Sequence, residues 1–214
     1  MNHVSIAVLV SLAVLSSGMA IEDRRERERA ARRRLIITTA RKLAEADGWD
    51  AVTTRRLSTE IEYGQPGLYK HFTVMEQIAE AVAVDGFGEL AEAIRAARSR
   101  AGTASDALTH IAHAYLDFAR DNPAVYDAMF TRATTLRFAA QDTPAQLDAA
   151  FAELRHAVGL AADEHDADTL TEVFWAALHG LVTLSRTGRL RPGYDSDRLQ
   201  LLVKQFTSRR ETMR

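Results

Sequence analysis

Thr53–Phe72, TTRRLSTEIEYGQPGLYKHF, is the stretch on which the fold turns. Gly48 just ahead of it is a helix stop, since a glycine readily takes the left-handed backbone that ends a helix. Trp49 and Val52 then follow as apolar anchors. Thr53 or Thr54 can cap the next helix, because a threonine hydroxyl accepts a hydrogen bond from an orphan amide. Leu57 and Ile61, four apart, share one face of that helix. Arg55 and Arg56 fall in its first turn, where they can reach phosphates. Gly64 supplies a flexible position and can cap a third helix. Pro66 lies in that helix's first turn, where its missing N–H is no loss. Leu68 and Phe72, again four apart, point to the core. Gln65, Gly67, Tyr69, Lys70 and His71 are left on or beside an open face. Glutamine can read adenine, lysine and tyrosine bind phosphate, and glycine permits close approach. The plain alternative is a short surface helix in an ordinary bundle. Two short helices, a tight turn and this face together predict a helix-turn-helix that reads DNA.

Upstream, Asp23 to Asp47 reads as one helix. Leu35, Ala40, Leu43 and Ala44 line its inner side, helped by Ile36 and Ile37. Its first part, RRERERAARRR, alternates in sign, so i,i+4 Glu–Arg pairs support it. Most of that run is a solvated face, and Arg32, Arg33 and Arg34 are the ones placed to approach a phosphate.

Downstream, Val74–Ala97 reads as a long helix with Ile78, Val82, Leu90 and Ile94 inside. Gly86 and Gly88 are expected to let it bend. Thr103–Arg120 follows, with Leu108, Ile111, Tyr115 and Phe118 on one side, and Asn122-Pro123 breaks it. One or two short helices over Ala124–Phe138 come next. Another helix starts at Thr143-Pro144 and runs through Phe151, Leu154 and Val158 to about Ala162. Thr169–Ser185 is apolar around more than one face and is expected to be buried on more than one side. Thr187-Gly188-Arg189 ends it, Pro192-Gly193 turns, and Asp195–Thr207 closes the chain with Leu199, Leu202, Val203 and Phe206 spaced for packing. Two adjacent apolar helices at the C-terminal end suggest a four-helix interface with a second copy, an internal core pair being the alternative.

Composition agrees. The chain has 214 residues, 47% apolar, with four prolines and eleven glycines. That suits one or two globular domains and an all-α fold. With no cysteine, disulfides, thiolate metal sites and cysteine nucleophiles are excluded. The formal charge of −2 hides an asymmetry: Asp23–Phe72 carries +4 and Thr73–Arg214 carries −5. A basic head on an acidic body suits a protein that presents one end to DNA.

From about Arg24 to Val82 the chain resembles the N-terminal domain of the tetracycline-repressor (TetR-like) family of bacterial regulators. The matching residues are Gly48, Thr53-Thr54, Leu57 and Gln65-Pro66-Gly67-Leu68-Tyr69-Lys70-His71-Phe72. The resemblance implies DNA contacts from Gln65, Pro66, Gly67, Tyr69, Lys70 and His71, beside those expected of Arg34, Thr53, Thr54 and Arg55. The chain departs from the pattern in the turn, where the family usually has Gly-Val and this sequence has Glu62-Tyr63. It departs again at Met75, where the family usually has lysine. Trp175-Ala-Ala-Leu-His179-Gly180 followed by Leu190 resembles the family's WHG-type C-terminal domain. The resemblance implies a dimer on double-stranded DNA with a near-palindromic operator, released by a small apolar effector.

Val4–Ile21 carries no charged side chain over 18 residues. Three readings stand: a start at Met19 with residues 1–18 not translated, a membrane anchor, or a cleaved export signal. The first is preferred, because MAIEDRRERERAARRR is a usual opening for this family and a basic n-region is missing. The expected units are therefore 1–22, an apolar segment; 23–72, the helix-turn-helix domain; and 73–214, a helical effector-binding and dimerisation domain. The location is expected to be cytoplasmic, with no membrane contact unless Val4–Ile21 is translated.

His110 and His113 are three apart but find no third ligand, so no metal and no cofactor are expected. Tyr115, Phe118, Met129, Phe130, Phe151, Trp175 and His179 are the candidate lining of an effector pocket, apolar with a few polar groups. Core packing explains each of them equally. No phosphate loop, G-x-S-x-G or H-E-x-x-H motif occurs, so no enzyme activity is expected. A protein–protein adaptor with a degenerate head and a membrane-tethered regulator are the rival functions.

Overall fold

The computed structural model describes residues 3–62, 64–132, 136–137, 140–160 and 166–207, with the backbone alone for 3–20, 65 and 66. Among them the regular elements are all helical, as composition implies. The helices are α1 (His3–Asp47), α2 (Thr54–Glu60), α3 (Gln65–Leu68), α4 (Met75–Arg98), α5 (Ala104–Asp121), α6 (Pro123–Asp127), α7 (Ala145–Gly159), α8 (Ala167–Arg186) and α9 (Asp195–Thr207). A 3₁₀ turn (Trp49–Ala51) follows α1, and a π turn (Ala128–Arg132) continues α6. The expected ends near Phe138 and Ala162 lie outside the described residues.

α1 corrects the expected start at Asp23, because its helix runs on unbroken from His3. No proline interrupts 3–47 and a single glycine does, so nothing forces a stop. Leu35 is also corrected. It is exposed, while Ile36, Ile37, Ala40, Leu43 and Ala44 are buried. Ile36, Ala40, Leu43 and Ala44 recur at helical spacing, and Leu35 sits about 100° off that face. Gly48 stops α1 with φ 81°, and its amide bonds Ala44 O at 2.8 Å.

α4 is the spine. Ile78, Val82, Phe87, Leu90 and Ile94 are buried along it, and it touches α1, α5, α6 and α7. The expected bend at Gly86 gives way to a contact. A Cβ there would lie 2.4 Å from Val125 Cγ1 and 2.9 Å from Met129 Sδ. Gly86 therefore lets α6 and the π turn press against the helix backbone. Thr103 caps α5 by accepting from the Asp106 amide at 3.1 Å. The buried apolar residues form one continuous cluster from Ile36 to Val203.

The expected burial of α8 on more than one side is not met within the chain. Thr171, Phe174, Leu178 and Val182 are buried on one face, while Val173 is 55% and Leu184 39% exposed. On α9, Leu199 and Val203 are buried and Leu201 is 62% exposed.

Candidate nucleic-acid interface and aromatic core

Thr53 caps α2, its hydroxyl accepting from the Arg56 amide at 3.2 Å. Leu57 and Ile61 are buried beneath α2, and Leu68 and Phe72 beneath the turn that follows. These four anchors fix how α2 and α3 present their outer side. α3 itself is one turn long. After it the chain tightens, with Lys70 N to Gly67 O at 3.3 Å and His71 N to Leu68 O at 3.0 Å. Tyr69 and Lys70 therefore sit on an exposed turn rather than on a longer helix, and Tyr69 is half exposed. Thr53 and Arg55 are exposed, Thr54 and Gly67 half-buried. The side chains of Gln65 and Pro66 lie outside the described residues. Arg56, expected to reach phosphate, is instead paired with Asp47 at the end of α1. Arg34 is exposed, and its charge bears on Asp85 of α4.

α1 runs beside this turn. Arg33 lies over the Phe72 ring, 4.9 Å from its centre. His71 has its Nδ1 buried without a hydrogen-bond partner. Burial, and then the charges of Arg29, Arg32, Arg33 and Lys70, push its pKa below the ordinary value. Glu62, exposed in the turn, has φ 51°. Met75 opens α4 and packs partly against the core.

The second assembly lies in the body. Trp175 Nε1 donates to Tyr115 Oη at 3.1 Å. Tyr115 Oη meets Tyr126 Oη at 3.1 Å, and Tyr126 Oη meets His179 Nδ1 at 2.7 Å. Phe130 sits among them, 4.6 Å from the Tyr126 ring and 4.9 Å from that of His179. Of the expected lining residues, Tyr115, Phe130, Trp175 and His179 come together here. Phe151 borders Trp175 in a crevice with Phe87, Leu90 and Leu154 that has room for about one water. Met129 faces Gly86. Phe118 is buried elsewhere along α5, where its carbonyl accepts from Asn122. Tyr126 was missed by sequence reasoning; its spacing from Asn122-Pro123 places it on α6, but only the fold aims it at His179. A larger cavity of about 390 Å³ lies between α5, α8 and α9, bordered by His113, Leu116, Leu181 and Leu199. Among the described residues no group of three or more His, Asp or Glu is arranged to hold a metal.

Burial keeps the aromatic core uncharged. It raises the Tyr115 phenol to about 12, against the opposing hydrogen bonds of Tyr126 and Trp175. It pushes Tyr126 further up, helped by Tyr115, and it lowers His179.

Head and body meet at α6. Glu45 of α1 accepts from the Ala124 and Val125 amides at 3.0 and 3.1 Å. Trp49 Nε1 donates to Ala124 O at 2.8 Å. Arg132, just past α6, bonds Asp50 at 3.0 Å. Arg41 of α1 pairs with Glu89 of α4 and donates to Asn122 Oδ1 at 2.8 Å.

A capped α2, a one-turn α3 followed by the exposed Tyr69-Lys70 turn, and a helical body joined through α4 and α6 define a helix-turn-helix protein. The chain belongs to the tetR family of bacterial regulatory proteins, whose model matches residues 36–82, while a tetracyclin repressor-like C-terminal domain matches 108–205. It is 30% identical over 159 residues to an uncharacterized HTH-type transcriptional regulator, Rv0681, of Mycobacterium tuberculosis, covering 73% of this chain and 71% of that protein. A solved protein of unknown function from Rhodococcus sp. RHA1 superposes with TM-score 0.67 at 23% identity, over 82% of this chain and 93% of that one. RolR in complex with resorcinol superposes with TM-score 0.59 at 18% identity, over 86% and 89%. The protein is thus a DNA-binding transcriptional regulator. Among the described residues no helix is long and apolar enough to cross a membrane. The side chains of Val4 to Ala20 lie outside that description.

Proposed function

We propose that this regulator is a homodimeric repressor released from its operator by a small aromatic ligand. Residues 23–72 act as the DNA-binding unit and 73–214 as the effector-binding and dimerisation unit, in the cytoplasm and without enzyme activity. Arg34, Thr53, Thr54, Arg55, Gln65, Pro66, Gly67, Tyr69, Lys70 and His71 face DNA. Two such heads dock in successive major grooves of a near-palindromic site. The supporting observation is α6. Its Tyr126 hydrogen-bonds His179 in the aromatic core, and its first amides are held by Glu45 of the head. A ligand that displaces Tyr126 therefore strains the head's anchorage. Release follows where the ligand binds the displaced form more tightly.

The ligand is neutral, aromatic and hydroxyl-bearing. Tyr115, Tyr126, Trp175 and His179 offer uncharged hydrogen-bonding groups between ring faces, and Arg186, 5.7 Å from the Tyr126 ring centre, is already paired with Asp127. The resorcinol bound by RolR is of this class. The crevice beside Trp175 has room for about one water, so Tyr126 or Trp175 must swing to admit a ligand.

The test is titration of the full chain onto DNA flanking its own gene, at two salt concentrations, with and without resorcinol. Saturable binding that resists excess random DNA and weakens with the phenol supports the proposal. Binding that random DNA abolishes equally favours the adaptor.

A further inference from the structure

The contacts assigned to DNA above come from Thr53–His71 and Arg34, with Arg32 and Arg33 also placed to approach a phosphate, while Arg25 and Arg29 fall in the part of α1 read as a solvated face. A second basic cluster adjoins them on α1. Arg25, Arg29 and Arg32 stand at i, i+4 and i+7, on one face of the helix. Together with Glu28, Lys70 and His71 they line one open depression. Glu28 is the single acid of that lining, and it also faces Arg24 at 3.7 Å. The buried Nδ1 of His71 has no hydrogen-bond partner in the protein. Gathering like charge opposes folding, whereas a depression in which one sign predominates draws in the opposite ion. An anion entering here meets three guanidiniums, an ammonium and an imidazole.

We propose that Arg25, Arg29 and Arg32 form, with Lys70 and His71, a clamp for DNA backbone phosphate that extends the footprint beyond the helix-turn-helix. This rests on the proposal that Lys70 and His71 face DNA. The clamp adds affinity without sequence preference, since backbone contacts position and base contacts specify. It also links binding to a proton. His71 faces Arg29, Arg32, Arg33 and Glu28 of α1 and Lys70 of its own turn; in the free protein burial, and then the four cations, favour the neutral ring. A bound phosphate favours the imidazolium, so DNA affinity rises as pH falls below the ordinary histidine range.

The experiment compares the full chain, the variant Arg25→Gln/Arg29→Gln/Arg32→Gln and the variant Tyr69→Ala/Lys70→Ala. Each is titrated by fluorescence anisotropy, across a salt series, onto mixed-sequence duplex and onto the DNA flanking the gene. Circular dichroism verifies helix content. Each lost phosphate contact flattens the log–log salt dependence by about 0.9. The triple variant is expected to flatten it by about 1–2, with affinity lowered about equally on both duplexes. His71→Gln is expected to remove the rise in affinity on acidification. A triple variant with an unchanged slope, beside a Tyr69/Lys70 variant that has lost binding, overturns the clamp alone. No loss in either variant overturns the clamp and the DNA-facing assignment together.

Discussion

Glu62 sits in the left-handed region at φ 51°, where a side chain crowds the backbone. The family's usual glycine at this place is free of that conflict. Glu62→Gly is expected to stabilise the fold by about 0.5–1 kcal/mol, relief of strain outweighing the entropy gained by the unfolded chain. Urea denaturation measures it, and a lower midpoint would refute it. Gly86 has the opposite character. Alanine is the better helix former by about 1 kcal/mol, but its Cβ would meet the fully buried Val125 at 2.4 Å. Overpacking outweighs propensity here, so Gly86→Ala is expected to destabilise by about 1–3 kcal/mol. His179 supplies a pH dependence. Burial lowers its pKa in the folded chain, so the unfolded chain binds the proton more readily. Its share of stability is whole above the ordinary value of about 6.5 and is lost as pH falls through the lowered folded value. His71, lowered chiefly by burial as well, acts in the same direction. Thermal melts between neutral and mildly acidic pH should show this loss, and His179→Gln should flatten it.

Elements show why some of this was legible in the sequence and some was not. α2, the turn and the anchors Leu57, Ile61, Leu68 and Phe72 depend on neighbours within a few residues, so spacing and caps disclosed them. α4 and α5 were equally plain, because their apolar residues recur at helical intervals. What sequence misread are meetings between distant residues. Gly86 looks like a hinge until Val125 and Met129 are laid on it. Arg56 looks free until the end of α1 brings Asp47 beside it. Tyr126 carries no local sign of importance, yet it joins Tyr115, Phe130 and His179. The Glu45 clamp on α6 belongs to this class, spanning 79 residues of chain. Its carboxylate serves two amides at a helix start, a favourable place for negative charge. Glu45→Ala is therefore expected to lower stability by about 1–2 kcal/mol. It should also loosen α6 from the head, so that amide exchange at Ala124 and Val125 quickens more than exchange in α5. Equal exchange in both helices would mean that α6 is held by the core alone.

For the whole molecule, the decisive feature is the outer side of α8. Val173, Ala177, Gly180 and Leu184 form a stripe at i, i+4, i+7 and i+11, and its two ends are exposed. At Gly180 a Cβ would meet nothing within 4 Å, so the glycine leaves room outside the chain rather than serving a contact within it. Leu201 of α9 is exposed as well. A long helix that is apolar on two sides but buried on one within its own chain is suited to a partner's helix. In the proposed homodimer the stripe is expected to meet its own counterpart, the isologous arrangement of a twofold dimer. Placing like charges on this stripe should then part the copies while leaving the inward face of Phe174, Leu178 and Val182 intact. Val173→Glu/Leu184→Glu is expected to sediment as a folded monomer where the unaltered chain sediments as a dimer. Because the second head then binds as a separate molecule, operator affinity should fall by about 10²–10⁴, with the salt dependence per head preserved. A variant that remains dimeric would place the interface elsewhere, and a monomer that keeps full affinity would show that one head suffices for recognition.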